Sequence, residues 1–306
     1  MPSEELQKAR IRLYQRADRK KMLLAVSTVL LMLFGFIAFL NLIGSIDLEF
    51  RPGQRAFDQF LNWLVIAILT FIGPYGFFLA SKNREVRQIE RRLPDFLRDV
   101  AEAGRFGMTL ADAIVVSSSG RYGKLTPEIK KMAAQISWGV PATEALRLFA
   151  VRVKTPMVQR VVAIIVKSSD AGGDVADVLT MVSHDTNEKQ LTEDERRIAM
   201  STYIAVIYIS FLVFLVTIWI LNATFLPKML EASGALEGGT TAVVSPLAEN
   251  LPEVVYNIRI AFFVATIVHG LGDGILAGVL DNGKIPTGLR HSFIMLIIAL
   301  LGFQVI

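Results

Sequence analysis

Five stretches of this chain are apolar for longer than a buried core helix requires: Met22–Leu42, Phe60–Ala80, Tyr203–Leu226, Ile258–Leu280 and Gly288–Ile306. At 1.5 Å per residue, about 20 helical residues cross a hydrocarbon layer of about 30 Å. Each stretch is therefore a predicted transmembrane helix. Residues 81–200 follow a different pattern. There, apolar positions recur three and four apart among charged ones, which is the signature of helices with one buried face. The expected fold is all-α: a polytopic helical membrane protein whose long polar middle forms a helical bundle.

Inside the middle, Lys82 to Arg92 continue the second span into water. Pro94 then fits the first turn of a new helix, where a missing N–H costs little, and Phe96, Leu97, Val100, Ala101 and Ala103 give that helix an apolar face. After Gly104 and Gly107 the helical pattern resumes over 109–116, and Ser117–Gly120 stop it. Leu125–Trp138 carries a stripe of Ile129, Met132, Ala133 and Ile136. Pro141 and Pro156 start two further helices, Gly172–Gly173 break the second, and 174–200 read as one or two more. Gly107-Met-Thr-Leu-Ala-Asp-Ala113 and Gly139-Val-Pro-Ala-Thr-Glu-Ala-Leu146 repeat one logic. A glycine ends one helix in the left-handed conformation, a cap or proline starts the next, and alanines permit close contact. Elsewhere, Gly73, Pro74 and Gly76 predict a bend in the second span, and Pro52–Gly53 a turn. Residues 227–257, with Pro227, Gly234, Gly238–Gly239, Pro246 and Pro252, read as an irregular link.

Composition sharpens this picture at three points. The chain is 53% apolar with a mean hydropathy of +0.48 and only 20% charged residues, which suits a membrane protein. It has no cysteine and three widely spaced histidines, so disulfides, thiolate chemistry and a metal centre are not expected. Segments 1–21, 81–200 and 281–290 hold 7, 19 and 2 basic residues, 28 of the chain's 32. That distribution predicts topology, not nucleic-acid binding. The basic segment 1–21, the domain 81–200 and the turn 281–290 are expected in the cytoplasm. The link 227–257 and the C-terminus are expected outside. A positive segment before an apolar run suggests a signal peptide, but this run is too long and no small-residue cleavage pattern follows it.

Catalytic chemistry is weakly represented. No G-x-x-x-x-G-K-[ST] phosphate loop is present, and Gly120-Arg-Tyr-Gly-Lys124 lacks its spacing. No catalytic triad, metal-ligand set or cofactor motif stands out. Arg91, Arg92, Arg98, Arg105, Arg121, Lys124, Lys130 and Lys131 are candidates for a basic interface with acidic protein loops or anionic lipid heads. Asp170, Asp174 and Asp177 read as capping and solubilising residues. In the fourth span Gly270, Gly274 and Gly278 recur every four residues, a spacing that lets another backbone approach closely. His269 and Asp273 are also four apart and form a candidate packing pair. That pair motivates an alternative reading, a small proton-coupled or ion-coupled transporter.

The middle resembles the type II secretion system F domain. The resemblance rests on Leu93-Pro-Asp-Phe-Leu-Arg98, then Gly107 with Leu110 and Ala113, then Gly139-Val-Pro with Glu144-Ala145-Leu146. It closes with Ser169-Asp-Ala-Gly-Gly-Asp-Val175 and Leu179. Gly288-Leu-Arg-His-Ser292 is similar to the end of the archaeal motility-filament and pilus platform proteins. Where many bacterial members carry Glu–x–Gly, this chain has Asp170-Ala-Gly172. Its layout resembles the later half of an archaeal platform protein, or a compact Tad pilus member. The resemblance implies a platform that couples a hexameric cytoplasmic secretion ATPase to pilin-like filament subunits. It also implies a homodimer or a paired platform subunit in the lipid bilayer, and no enzymatic activity of its own.

Overall fold

The computed structural model describes residues 2–44, 55–237 and 250–305, with side chains described over 21–44, 55–232 and 250–303. The turn expected at Pro52–Gly53 and all of the glycine- and proline-rich stretch 238–249 lie outside the described residues. Every regular element among the described residues is helical: α1 (Pro2–Leu42), α2 (Ala56–Glu90), α3 (Leu93–Arg105), α4 (Leu110–Ser117), α5 (Thr126–Ser137), α6 (Ala142–Val153), α7 (Pro156–Asp170), α8 (Val175–Ile220), α9 (Leu226–Glu237), α10 (Leu251–Asn282) and α11 (Leu289–Val305). Five helical stretches are long and apolar enough to cross a membrane. The chain is an all-α, multi-pass membrane protein. It divides into two compact units, one of residues 81–198 and one of 1–80 with 199–306.

The unit of residues 81–198 is built from helical hairpins. Three chain reversals share one hydrogen-bond pattern. At Phe106–Met108, three successive N–H groups donate to Glu102, Gly104 and Ala103 carbonyls. At Trp138–Val140 the acceptors are Ala134, Ile136 and Gln135, and at Ala171–Gly173 they are Lys167, Ser169 and Ser168. Each is a glycine-centred C-cap, with φ of +84° at Gly107, +90° at Gly139 and +70° at Gly172. The next helix then starts from a capping residue: Thr109 accepts from the Asp112 N–H at 3.2 Å, and Asp174 accepts from Ala176 at 2.8 Å. Pro141 serves as the N-cap position of α6.

These reversals all fall at one end of the bundle. Gly104, near the end of α3, abuts Ala176 at the start of α8, while Ser183 of α8 donates to the Pro94 carbonyl at the start of α3. The Met157 N–H at the start of α7 donates to Glu90, and Lys124 before α5 meets Glu85. Thus α3, α5 and α7 all begin at a common base and run to a common tip. Between the two ends lies the core of Leu93, Phe96, Ile129, Met132, Phe149 and Ile165, each 1% exposed or less. Tyr122 closes its base: the ring packs edge-on against Phe96 at 5.4 Å, and the hydroxyl donates to Asp99 and meets the Ser117 carbonyl. Burial and the Asp99 carboxylate push the Tyr122 hydroxyl well above its ordinary pKa, so it stays a donor at all physiological pH.

An ion-pair cluster joins α5 to α6. Glu128 accepts from Lys131 at 2.7 Å and from Arg152 at 2.8 Å. Burial pushes the Glu128 carboxyl up, but the hydrogen bonds and charges of Lys131 and Arg152 outweigh that and hold it below its ordinary pKa. A carboxyl with a depressed folded pKa stabilises the fold above its unfolded pKa, and that contribution is lost as pH falls through the folded pKa. Glu128→Gln should therefore lower the thermal midpoint of the detergent-solubilised full chain at pH 7, by the equivalent of about 1–3 kcal/mol for a charge-assisted pair. The gap between variant and parent should close as pH falls below about 4. A gap that is constant with pH would exclude this role.

In the other unit, α11 is the central helix. Ser292, Met295 and Leu296 are fully buried. Leu296 packs with Val65 and Leu69 of α2, while Met295 and Ala299 pack with Phe211 of α8. Many other apolar side chains of the spans, such as Met32 and Phe36 of α1 and Val206 and Ile209 of α8, are exposed, as lipid-facing residues are.

The third span differs from the expectation that helix gives way to a link at Pro227. The chain passes through a π-helical turn, Leu221–Phe225, and continues as α9 to Glu237; α10 already begins at Leu251. The widened turn lies just before Pro227, which has no N–H to give the Ala223 carbonyl. There the Leu226 N–H donates to Leu221, five residues back. Pro252 occupies the first turn of α10, where its missing N–H is no loss.

Candidate functional site

The eight basic candidates are all exposed, and the structure does not gather them into one patch. Arg91, Arg92, Arg121 and Lys124 lie at the base. Lys130 and Lys131 follow on the first half of α5, Arg98 lies mid-way along α3, and Arg105 lies at the tip. Half of them face a carboxylate: Arg92–Asp95 at 3.2 Å, Arg98–Glu102 at 3.9 Å, Lys124–Glu85 at 4.0 Å and Lys131–Glu128 at 2.7 Å. The first three, exposed on both sides, are worth about 0–1 kcal/mol each and contribute little to the fold, whereas Lys131 belongs to the Glu128 cluster. All four pairs together halve the positive charge on offer. Arg91, Arg105, Arg121 and Lys130 have no ion pair among the described residues.

The motif residues have local structural roles. Leu93, Ala113, Ala145 and Leu146 are buried in the bundle core, and Leu110 packs against it. Pro94 is in the first turn of α3, and Gly107, Gly139 and Gly172 occupy the left-handed positions of the three reversals. Asp170 is exposed and pairs with Arg147 of α6 at 3.2 Å.

Within the membrane spans, the glycine face of α10 is filled by the same chain. A Cβ at Gly274 would lie on Ser292, and one at Gly278 on the Gly288 backbone. Gly270 faces the Phe211 ring. His269 meets Asp273 at 3.2 Å, with the Phe214 ring 4.5 Å from its own. A polar network that the sequence reading missed lies beside this packing. Tyr208 of α8 meets His291 Nδ1 at 2.8 Å, Arg290 meets His291 Nε2 at 3.1 Å, and Arg290 reaches the buried Asp281 at 3.7 Å. Because a guanidinium only donates, His291 Nε2 must accept, so Nδ1 carries the proton toward Tyr208. The available signal was Arg290-His291 opening a span shortly after Asp281. Among the described residues, no group of three or more His, Cys, Asp or Glu is placed to hold a metal ion.

What these features define is a multi-pass membrane protein with a compact helical-bundle unit and no assembled catalytic centre among the described residues. Comparison with known proteins is specific on one segment. The family model for Type II secretion system (T2SS), protein F matches residues 96–222, which include all three hairpin reversals. The chain is also 30% identical over 247 residues to an uncharacterized protein of Methanocaldococcus jannaschii, covering 79% of this chain and 38% of that relative. It therefore spans well under half the relative's length. No solved structure matches the chain.

Proposed function

We propose that this chain is a platform protein of the cytoplasmic membrane in a type IV pilus, archaeal motility-filament or related secretion system. In this reading it couples a hexameric cytoplasmic ATPase to the insertion or removal of pilin-like subunits, and it works as a homodimer or with a paired platform subunit. The observation that carries the proposal is the protein F match over residues 96–222, which covers most of the helical bundle and runs into the third span, in a chain with five apolar helices long enough to span a membrane. Residues 1–21 and 81–200 are assigned to the cytoplasm, and the link after the third span and the C-terminus to the outside. The distribution of basic residues supports that orientation. The basic base of the bundle, with Arg91, Arg121 and Lys124, is suited to anionic lipid heads.

The platform reading predicts binding without turnover. Full-length protein in detergent should co-elute with the cognate secretion ATPase, and should hydrolyse no ATP alone. In liposomes holding only this chain, no proton flux should appear. Failure to co-elute, together with flux dependent on His269 and Asp273, would replace the platform by the transporter reading.

A further inference from the structure

Two large aromatic side chains of the helical bundle lie outside its core. Phe106 is 86% exposed and Trp138 is 84% exposed. They occupy the same position in successive reversals, each as the C-cap residue immediately before a left-handed glycine. Their N–H groups make equivalent bonds, to Glu102 and Ala134 four residues back. The third reversal has Ala171 in that place. The repeat thus needs no aromatic ring to close its turn, yet two of its three tips carry one. Turns fixed by three backbone bonds hold the position of each Cα, so only the two side-chain torsions of each ring remain to be ordered, which favours their use as binding anchors.

The surroundings define what such anchors can meet. An open cleft runs between the α3–α4 reversal and the start of α8, lined by Val100, Gly104, Met108, Ala113, Gly173 and Ala176. Its small residues leave room for an inserted side chain. Around the tip, the last and first turns of the helices expose Glu102, Asp112, Glu144, Asp170, Asp174 and Asp177. Asp170 is paired with Arg147 and Glu102 with Arg98, which leaves Asp112, Glu144, Asp174 and Asp177 against Arg105 and Lys167. Asp112 and Asp174 sit where a helix start favours an acid. The tip nonetheless has an acidic excess, whereas the base carries the bundle's basic excess. Acidic surroundings with exposed indole and phenyl faces suit arginine and lysine side chains, through ion pairing and cation–π contact.

We infer that the tip of the helical bundle, with Phe106 and Trp138 as anchors, is the face that docks the cytoplasmic motor, and that it takes a basic, arginine-bearing surface of that partner. This rests on the platform reading and deepens it by assigning the contact to the tip and not to the basic base. The test measures binding of the full-length detergent-solubilised chain to the cognate secretion ATPase. Phe106→Ala with Trp138→Ala should raise Kd by about tenfold or more, as loss of aromatic anchors does. Glu102→Lys should weaken binding further at low salt than at high salt. Arg91→Ala with Arg121→Ala at the base should leave Kd within about threefold. Unchanged melting curves would show that each variant folds. Absence of binding by the unaltered chain would remove the platform reading and the inference together. Binding that survives loss of both aromatics overturns the inference alone, as does binding lost only in the base variant. If the aromatic variant keeps motor binding but loses chain-to-chain crosslinking, the tip belongs to a second copy and the proposal is wrong.

Discussion

Gly278→Ala should unfold the packing of the last two spans, whereas Gly272→Ala on the same helix should not. A Cβ at Gly278 would fall on the Cα and N of Gly288 and close to the Thr287 carbonyl carbon. Those atoms are backbone, so no rotamer change can clear them. The Thr287 hydroxyl also donates to the Gly278 carbonyl at 2.9 Å, which ties the two segments at that point. Inserting a methyl group must therefore push α10 from the Ile285–Gly288 turn and break that bond. Overpacking ordinarily costs about 1–3 kcal/mol, and this contact belongs at or above the top of that range. Gly272 has nothing within 4 Å of its Cβ position. Alanine there should be neutral or stabilise by about 0.5–1 kcal/mol through helix propensity. Thermal unfolding in detergent should separate the two variants by many degrees. Equal midpoints would contradict the packing of α10 on α11.

The glycine spacing of α10 was legible in the chain because a four-residue period states that one face is small. The occupant of that face was not legible. Gly288 and Ser292 approach it because the turn at Ile285–Gly288 folds α11 back along α10, and nothing local in either sequence specifies that pairing. The same division holds in the helical bundle. Thr109 as a cap, Pro94 in a first turn and left-handed Gly107 and Gly139 are local devices whose cause lies within a few residues. Residues such as Tyr122 and Glu128 gain their meaning only from Asp99, Phe96 and Arg152, which other elements bring to them.

Two kinds of signal are ambiguous in the sequence. Proline and glycine predict a break around 227–257, but a π-helical turn before Pro227 lets α9 continue to Glu237. The basic residues across 91–131 form one group by type, yet α3 alone carries Arg98 and Arg105 from the base of the bundle toward the tip. A sequence gives the charges in order, but which end each reaches depends on helix direction. Phe106 and Trp138 are inconspicuous in the sequence for a related reason. In a linear pattern, an aromatic residue beside an apolar stripe reads as core, and only the C-cap geometry turns these two outward.

The second large effect concerns membrane orientation, because the proposed motor contact exists only if the bundle is cytoplasmic. Segments 1–21, 81–200 and 281–290 hold 28 of the chain's 32 basic residues, and retention of positive flanks in the cytoplasm sets orientation. The native chain has no cysteine, so each introduced thiol is a unique reporter. Arg121 and Lys154 are exposed on the bundle, and Glu253 is exposed in the first turn of α10. With Arg121→Cys, Lys154→Cys or Glu253→Cys in intact cells, a membrane-impermeant maleimide should label the Glu253 variant alone. After permeabilisation all three should react, which separates protection by the membrane from burial. The expected contrast is all or none, since charged reagent does not cross the bilayer. Labelling at Arg121 or Lys154 in intact cells would put the bundle outside. The acidic tip and its aromatic anchors would then be out of reach of any cytoplasmic ATPase, and the platform mechanism would fail with the topology.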